Sequence, residues 1–138
     1  MKEDARSLVK ILHGQSSVAF AYLYGSRAKG HANQSSDWDV AVYFSSPMHK
    51  LGIWPAFELE AKLARVGGGT VQVVVLNTLL SPLLGFEIVK NGVVLLERDR
   101  NLRMEFENRI LRHYYDWQYF LRRQMKAERH LSLRAMGQ

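Results

Sequence analysis

An α/β domain, with a mixed sheet flanked by helices and a long C-terminal helix, is the fold class this sequence predicts, on three observations. Three short runs rich in β-branched and aromatic residues, VAFAYLY (18–24), DWDVAVYF (37–44) and TVQVVVLN (70–77), are bounded by polar or glycine-bearing stretches. Segments with apolar residues at helical spacing lie before and between them. From Asp99 onward there is no proline, and no glycine until Gly137. The length of 138 residues and the 47% hydrophobic content suit one domain built around one core.

Residues 3–13 (EDARSLVKILH) open with two acids, set Leu8, Ile11 and Leu12 on one face and stop at Gly14, which reads as an amphipathic helix. VAFAYLY and DWDVAVYF follow as buried strands. Ile53 to Val66 reads as a helix with Pro55 in its first turn, where proline is tolerated, and Gly67-Gly68-Gly69 ends it. No lysine and helix follow those glycines, so they are a helix stop and not a phosphate loop. TVQVVVLN is a third strand, a helix spans about Ser81 to Asn91, and VVLLER (93–98) is a fourth strand. Asp99 can cap the last helix, which is expected to reach about His130. Phe106, Ile110, Tyr114, Trp117, Leu121 and Met125 step along it by three or four as one apolar stripe. The expected organisation is a core over 1–98 and a helical extension over 99–138 that packs on it and offers surface to a partner, within one domain.

Composition narrows the chemistry. The chain has no cysteine, which excludes disulfides, thiolate metal sites and cysteine nucleophiles. No apolar run approaches the roughly 18 residues that span a bilayer, and the first residues lack a signal-peptide core, so a soluble, cytoplasmic protein with no membrane partner is expected. The five histidines are scattered without the i, i+4 spacing of a zinc pair. Nineteen basic against thirteen acidic residues leave +6. Residues 1–98 hold ten basic and eight acidic residues, and 99–138 hold nine and five, so most of the excess lies in the tail. A polyanionic ligand is implied for the molecule as a whole.

The chemistry concentrates where the first strand ends and the second begins. Gly25-Ser26 is followed, ten residues later, by Asp37-Trp38-Asp39. Residues two apart on a strand project from one face, so Asp37 and Asp39 can share a hard divalent cation while Trp38 points the other way. Gly25 admits close backbone approach, and Ser26 can open a short helix (SRAK) whose free N–H groups favour phosphate. Arg27 and Lys29 can neutralise phosphate charge or face solvent. Four such residue types at fixed spacing recur by chance on the order of 10⁻³ times in a chain this long.

This pattern, after VAFAYLY and before VAVYF, resembles the signature of DNA polymerase β-like nucleotidyltransferases. The small size, VQVVVLN, the following helix, VLLERD and the helical tail are similar to the minimal nucleotidyltransferase (MNT) antitoxins of HEPN/MNT toxin–antitoxin systems, over about residues 5–125. The resemblance implies a polymerase β-like fold and a Mg²⁺-dependent protein adenylyltransferase, with ATP as substrate and a cognate HEPN ribonuclease toxin as partner in a hetero-oligomeric complex. AMP would pass to a tyrosine of the toxin. Asp37 and Asp39 would be the catalytic and metal residues, and Gly25, Ser26, Arg27 and Lys29 would bind the nucleotide. Members commonly carry a third carboxylate on the next core strand, where strand pattern places Gln72. An amide can accept a hydrogen bond or weakly ligate a cation but is no carboxylate base. Either two aspartates suffice, or another acid or histidine substitutes, or the protein neutralises its toxin by binding alone.

In the tail, Tyr114, Tyr115, Trp117, Tyr119 and Phe120 are interleaved with arginines. One helix cannot bury them all, which leaves surface for a partner. A nucleic-acid module is the alternative that charge and aromatics suggest, but no recognised motif supports it, and direct nucleic-acid binding is not expected.

Overall fold

In the computed structural model, which describes residues 3–30, 37–47, 50, 52, 54–67 and 69–137, VAFAYLY forms β1 (Val18–Tyr24), buried from Val18 to Leu23. A continuous apolar run is what a central strand covered on both faces requires. β1 pairs antiparallel with β2 (Trp38–Phe44) on one side and with β4 (Val93–Glu97) on the other, and β3 (Val71–Val75) adds parallel to β2, giving the order β3-β2-β1-β4.

Alternation along β2 divides the core into two layers. Val40, Val42 and Phe44 face α1 (Glu3–His13) and α3 (Pro55–Gly67), among Leu8, Leu12, Leu59 and Leu63. Ala41, with Phe20 and Tyr22 of β1, faces Ile88 of α4 (Pro82–Asn91) and Phe106 and Ile110 of α5 (Arg100–Met136). Leu8, Leu12 and Leu63 have no exposed surface, and truncating any one to alanine removes about 2–5 kcal/mol. Tyr22 donates its hydroxyl to Glu107 Oε1 at 2.6 Å, and Arg103 bridges Glu107 and Glu97, which ties β1, β4 and α5 together. Burial, with Glu107 adding, raises the Tyr22 phenol and keeps it a neutral donor.

The helix starts follow their caps. Asp99 accepts from Leu102 N at 3.1 Å, and Ser81 Oγ accepts from Leu84 N at 3.1 Å with Pro82 next. α3 begins at Pro55; Ile53, where its start was expected, lies outside the described residues. β3 is shorter than TVQVVVLN because the Asn77 amide takes over its end. Asn77 Oδ1 accepts from Phe44 N at 2.8 Å and Nδ2 donates to Phe44 O at 2.9 Å, replacing a backbone pair while Leu76–Thr78 turns as a 3-10 helix. β2 starts at Trp38, so Asp37 lies just before the strand and not within it.

The last helix departs most from expectation. It runs to Met136 rather than about His130, since nothing breaks it before Gly137. Its stripe meets the core only at Phe106 and Ile110; Tyr114 and Trp117 are half-buried, while Leu121 and Met125 are 36% and 66% exposed. A side chain on Gly85 would lie 3.1 Å from two carbons of Ile110, so this glycine lets α4 and α5 cross closely. Tyr114 then stacks on Phe86 at 3.9 Å between ring centroids. Residues 119–136 are exposed throughout, because the helix outruns the layer beneath it. Among the described residues no helix is long and apolar enough to cross a membrane.

Candidate functional site

β1 ends at Tyr24 and the chain turns at Gly25, whose φ of 76° and ψ of −156° fall in a region essentially restricted to glycine. The turn leads into α2 (Ser26–Lys29), closed by Lys29 N donating to Gly25 O at 3.2 Å. A Cβ on Gly25 would lie 2.5 Å from Asp39 Oδ2. The missing side chain is therefore what lets the turn sit against this carboxylate.

Asp39 is half-buried, on the α4–α5 face of β2, with Tyr24 opposite it on β1 and Gln72 beside it on β3. Burial first, and the charge of Asp37 second, raise its proton affinity above the ordinary aspartate range. Asp37 is exposed, and Trp38 is 2% exposed in the layer under α1 and α3. Burial, and then Asp39, raise the Tyr24 phenol.

Gly25, Ser26, Asp37 and Asp39 thus share one end of the sheet. Arg27 and Lys29 point to opposite sides of it. The Arg27 guanidinium carbon lies 4.0 Å from the centroid of the Trp38 ring, and Lys29 Nζ lies 2.8 Å from Glu87 Oε1 on α4. Glu87 also accepts from Asn91 Nδ2 at 3.0 Å, and these bonds, Lys29 first, hold its carboxyl below the usual range. Among the described residues no group of three or more His, Asp or Glu gathers to hold a metal, and the residue paired with Asp39 on β3 is the neutral Gln72. His31 and His49 lie outside the described residues. Sequence reasoning missed Tyr24 and Glu87. Tyr24 could have been found from its place before Gly25 on an antiparallel neighbour of β2; no local pattern announces Glu87.

Chemically, Asp39, whose ionisation is made costlier by burial and by the neighbouring Asp37 charge, forms with Asp37 an oxygen-only donor set that a hard divalent cation would relieve, and magnesium fits it.

Residues 6–101 match the polymerase beta nucleotidyltransferase family, and the chain belongs to that family. It is similar to protein adenylyltransferase MntA of Aphanizomenon flos-aquae, at 31% identity over 96 residues covering 64% of this chain and 63% of the relative, less than two thirds of its length. A chain of a toxin–antitoxin crystal structure with AMP-PNP superposes with a TM-score of 0.72 at 23% identity, covering 92% of this chain and 98% of that one. A chain of the structure of a tri-AMPylated Shewanella oneidensis HEPN toxin in complex with MNT antitoxin gives 0.67 at 22% identity, covering 93% and 96%. These two likenesses establish the shared fold.

Proposed function

We propose that this chain is an antitoxin nucleotidyltransferase that transfers AMP from ATP to a tyrosine of a cognate HEPN ribonuclease toxin in the cytoplasm and so neutralises it. The observation that carries this reading is the contact between the side-chain-free turn at Gly25 and the Asp39 carboxylate, with Asp37 alongside. Its similarity to an adenylyltransferase named MntA supports the choice of AMP as the group transferred.

In this reading Gly25 and Ser26 seat the ATP phosphates against the first turn of α2, where backbone N–H groups lack intrahelical partners. Arg27 and Lys29 add positive field from their positions against Trp38 and Glu87. Asp37 and Asp39 would hold magnesium, which when bound neutralises triphosphate charge and favours ionisation of the attacking hydroxyl. The acceptor oxygen bonds to the α-phosphorus as the bond to pyrophosphate breaks in line, and catalysis is chiefly alignment. The toxin docks in a hetero-oligomeric complex, with exposed Tyr119, Phe120, Leu121 and Met125 of α5, and the arginines among them, as its surface. In this reading the basic excess of the tail serves that protein partner rather than nucleic acid.

A second reading keeps the fold and the partner but neutralises by occlusion; it is favoured by Gln72, a neutral amide directly beside Asp39. One assay separates the two. The chain, α-labelled ATP, Mg²⁺ and the cognate HEPN protein are incubated, with Asp39→Asn in parallel. Transfer is expected and should fall at least about 10²-fold in the variant. A tight complex with no transfer assigns neutralisation to binding alone.

A further inference from the structure

We infer that Glu87 is a positioning residue of the nucleotide site, holding the Gly25–Ser26 turn in place through Lys29. The inference rests on the nucleotide-binding reading above.

α2 has only four residues, none of them buried, and its Gly25 cap brings no side-chain hydrogen bond. Within the segment, half-buried Ala28 packs on the core layer under α1 and α3. Two side-chain contacts hold it from either side of the sheet: Arg27 lies on the buried Trp38 ring, and Lys29 reaches Glu87 on α4. Glu87 is itself oriented, since Lys29 engages Oε1 while Asn91, one turn further along α4, donates to Oε2. α4 is anchored in turn by the burial of Gly85 and Ile88. A continuous chain of contacts therefore runs from the core through Glu87 and Lys29 to the turn beside Asp39. Lys29, which by sequence could meet phosphate directly, acts here as a tie. A turn that must present backbone to a phosphate loses binding when it shifts by a fraction of an ångström. The pair is partly solvated, at 46% and 35% exposure, so its effect is that of a surface pair: about twofold to fivefold in nucleotide affinity.

The test uses the full chain and a fluorescent ATP analogue with Mg²⁺, together with amide hydrogen exchange over residues 25–30 in the nucleotide-free protein. E87Q and K29E should each weaken nucleotide binding about twofold to fivefold and speed exchange in that segment, with Tm unchanged. The charge-swapped K29E/E87K should restore both. If instead E87Q tightens nucleotide binding and K29E/E87K remains as weak as K29E, Lys29 is a phosphate ligand held off by Glu87, and the inference is overturned. If the wild-type chain binds no nucleotide, the proposed function fails on that result; the exchange arm still decides the tie, and unchanged exchange in E87Q overturns it.

Discussion

At Gly25 and Asp39 two single-residue properties interlock. Gly25→Ala would force a side chain into a backbone region that costs about 1–3 kcal/mol for any other residue and would push a methyl group against Asp39 Oδ2. We expect a lower Tm and a loss of nucleotide binding well beyond that of Ser26→Ala, measured by thermal melts and fluorescence titration. Asp39 itself is held at a cost. Because its folded-state proton affinity is raised, the folded protein binds that proton more tightly than the unfolded chain does. Stability therefore declines as pH rises through the unfolded aspartate range and on to the folded one. Asp39→Asn in EDTA should raise Tm at pH 7 and lose that advantage by about pH 3, below the ordinary aspartate range, in melts across pH. An Asn variant with no gain at neutral pH would show that the carboxylate pair stores no strain. The spacing of Gly25, Ser26, Asp37 and Asp39 was legible in the sequence because a strand end and a strand start impose it. Tyr24 needed the β1–β2 register, and Glu87 needed α4 to fold back over β1.

Among the elements, the strands were the most legible and α5 the least. β1 announces itself because both faces are buried, leaving an uninterrupted apolar run, and β2 carries such a run from Val40 to Phe44 after Asp39. β3 ended early because Asn77 carries the hydrogen bonding a strand would have supplied, and composition does not distinguish a side-chain amide doing this from one in a loop. The stripe on α5 has correct periodicity over its whole length, yet periodicity does not say how far the neighbouring layer extends. That layer ends near Tyr114 and Phe86. A chain ending at Gln118 retains the contacts of Phe106, Ile110 and Tyr114, so its unfolding free energy, read by denaturant melts, should change by no more than a surface substitution does, about 0.5 kcal/mol. The same truncation should abolish the complex with the HEPN protein, read by size exclusion of the mixture. A truncated chain that still forms the complex would place the interface on the core.

For the whole molecule, the +6 charge divides between a nearly neutral body and a tail of nine basic and five acidic residues. The body brings its own carboxylates to the site, and the tail carries much of its charge along the exposed stretch 119–136 of α5. By itself the sequence determined the alternation of strands and helices, the helix start near Ser81, the cap at Asp99 and the opposed faces of Trp38 and Asp39. These are properties of local geometry: period two along a strand, period 3.6 along a helix and the hydrogen-bonding needs of helix ends. Only the tertiary structure decided that Gln72 lies directly beside Asp39, that Lys29 is held by Glu87 and Arg27 by Trp38, and where α5 leaves the core. Each of those depends on which elements pack together across long sequence separations, and charge and periodicity within one segment carry no record of the partner it will meet.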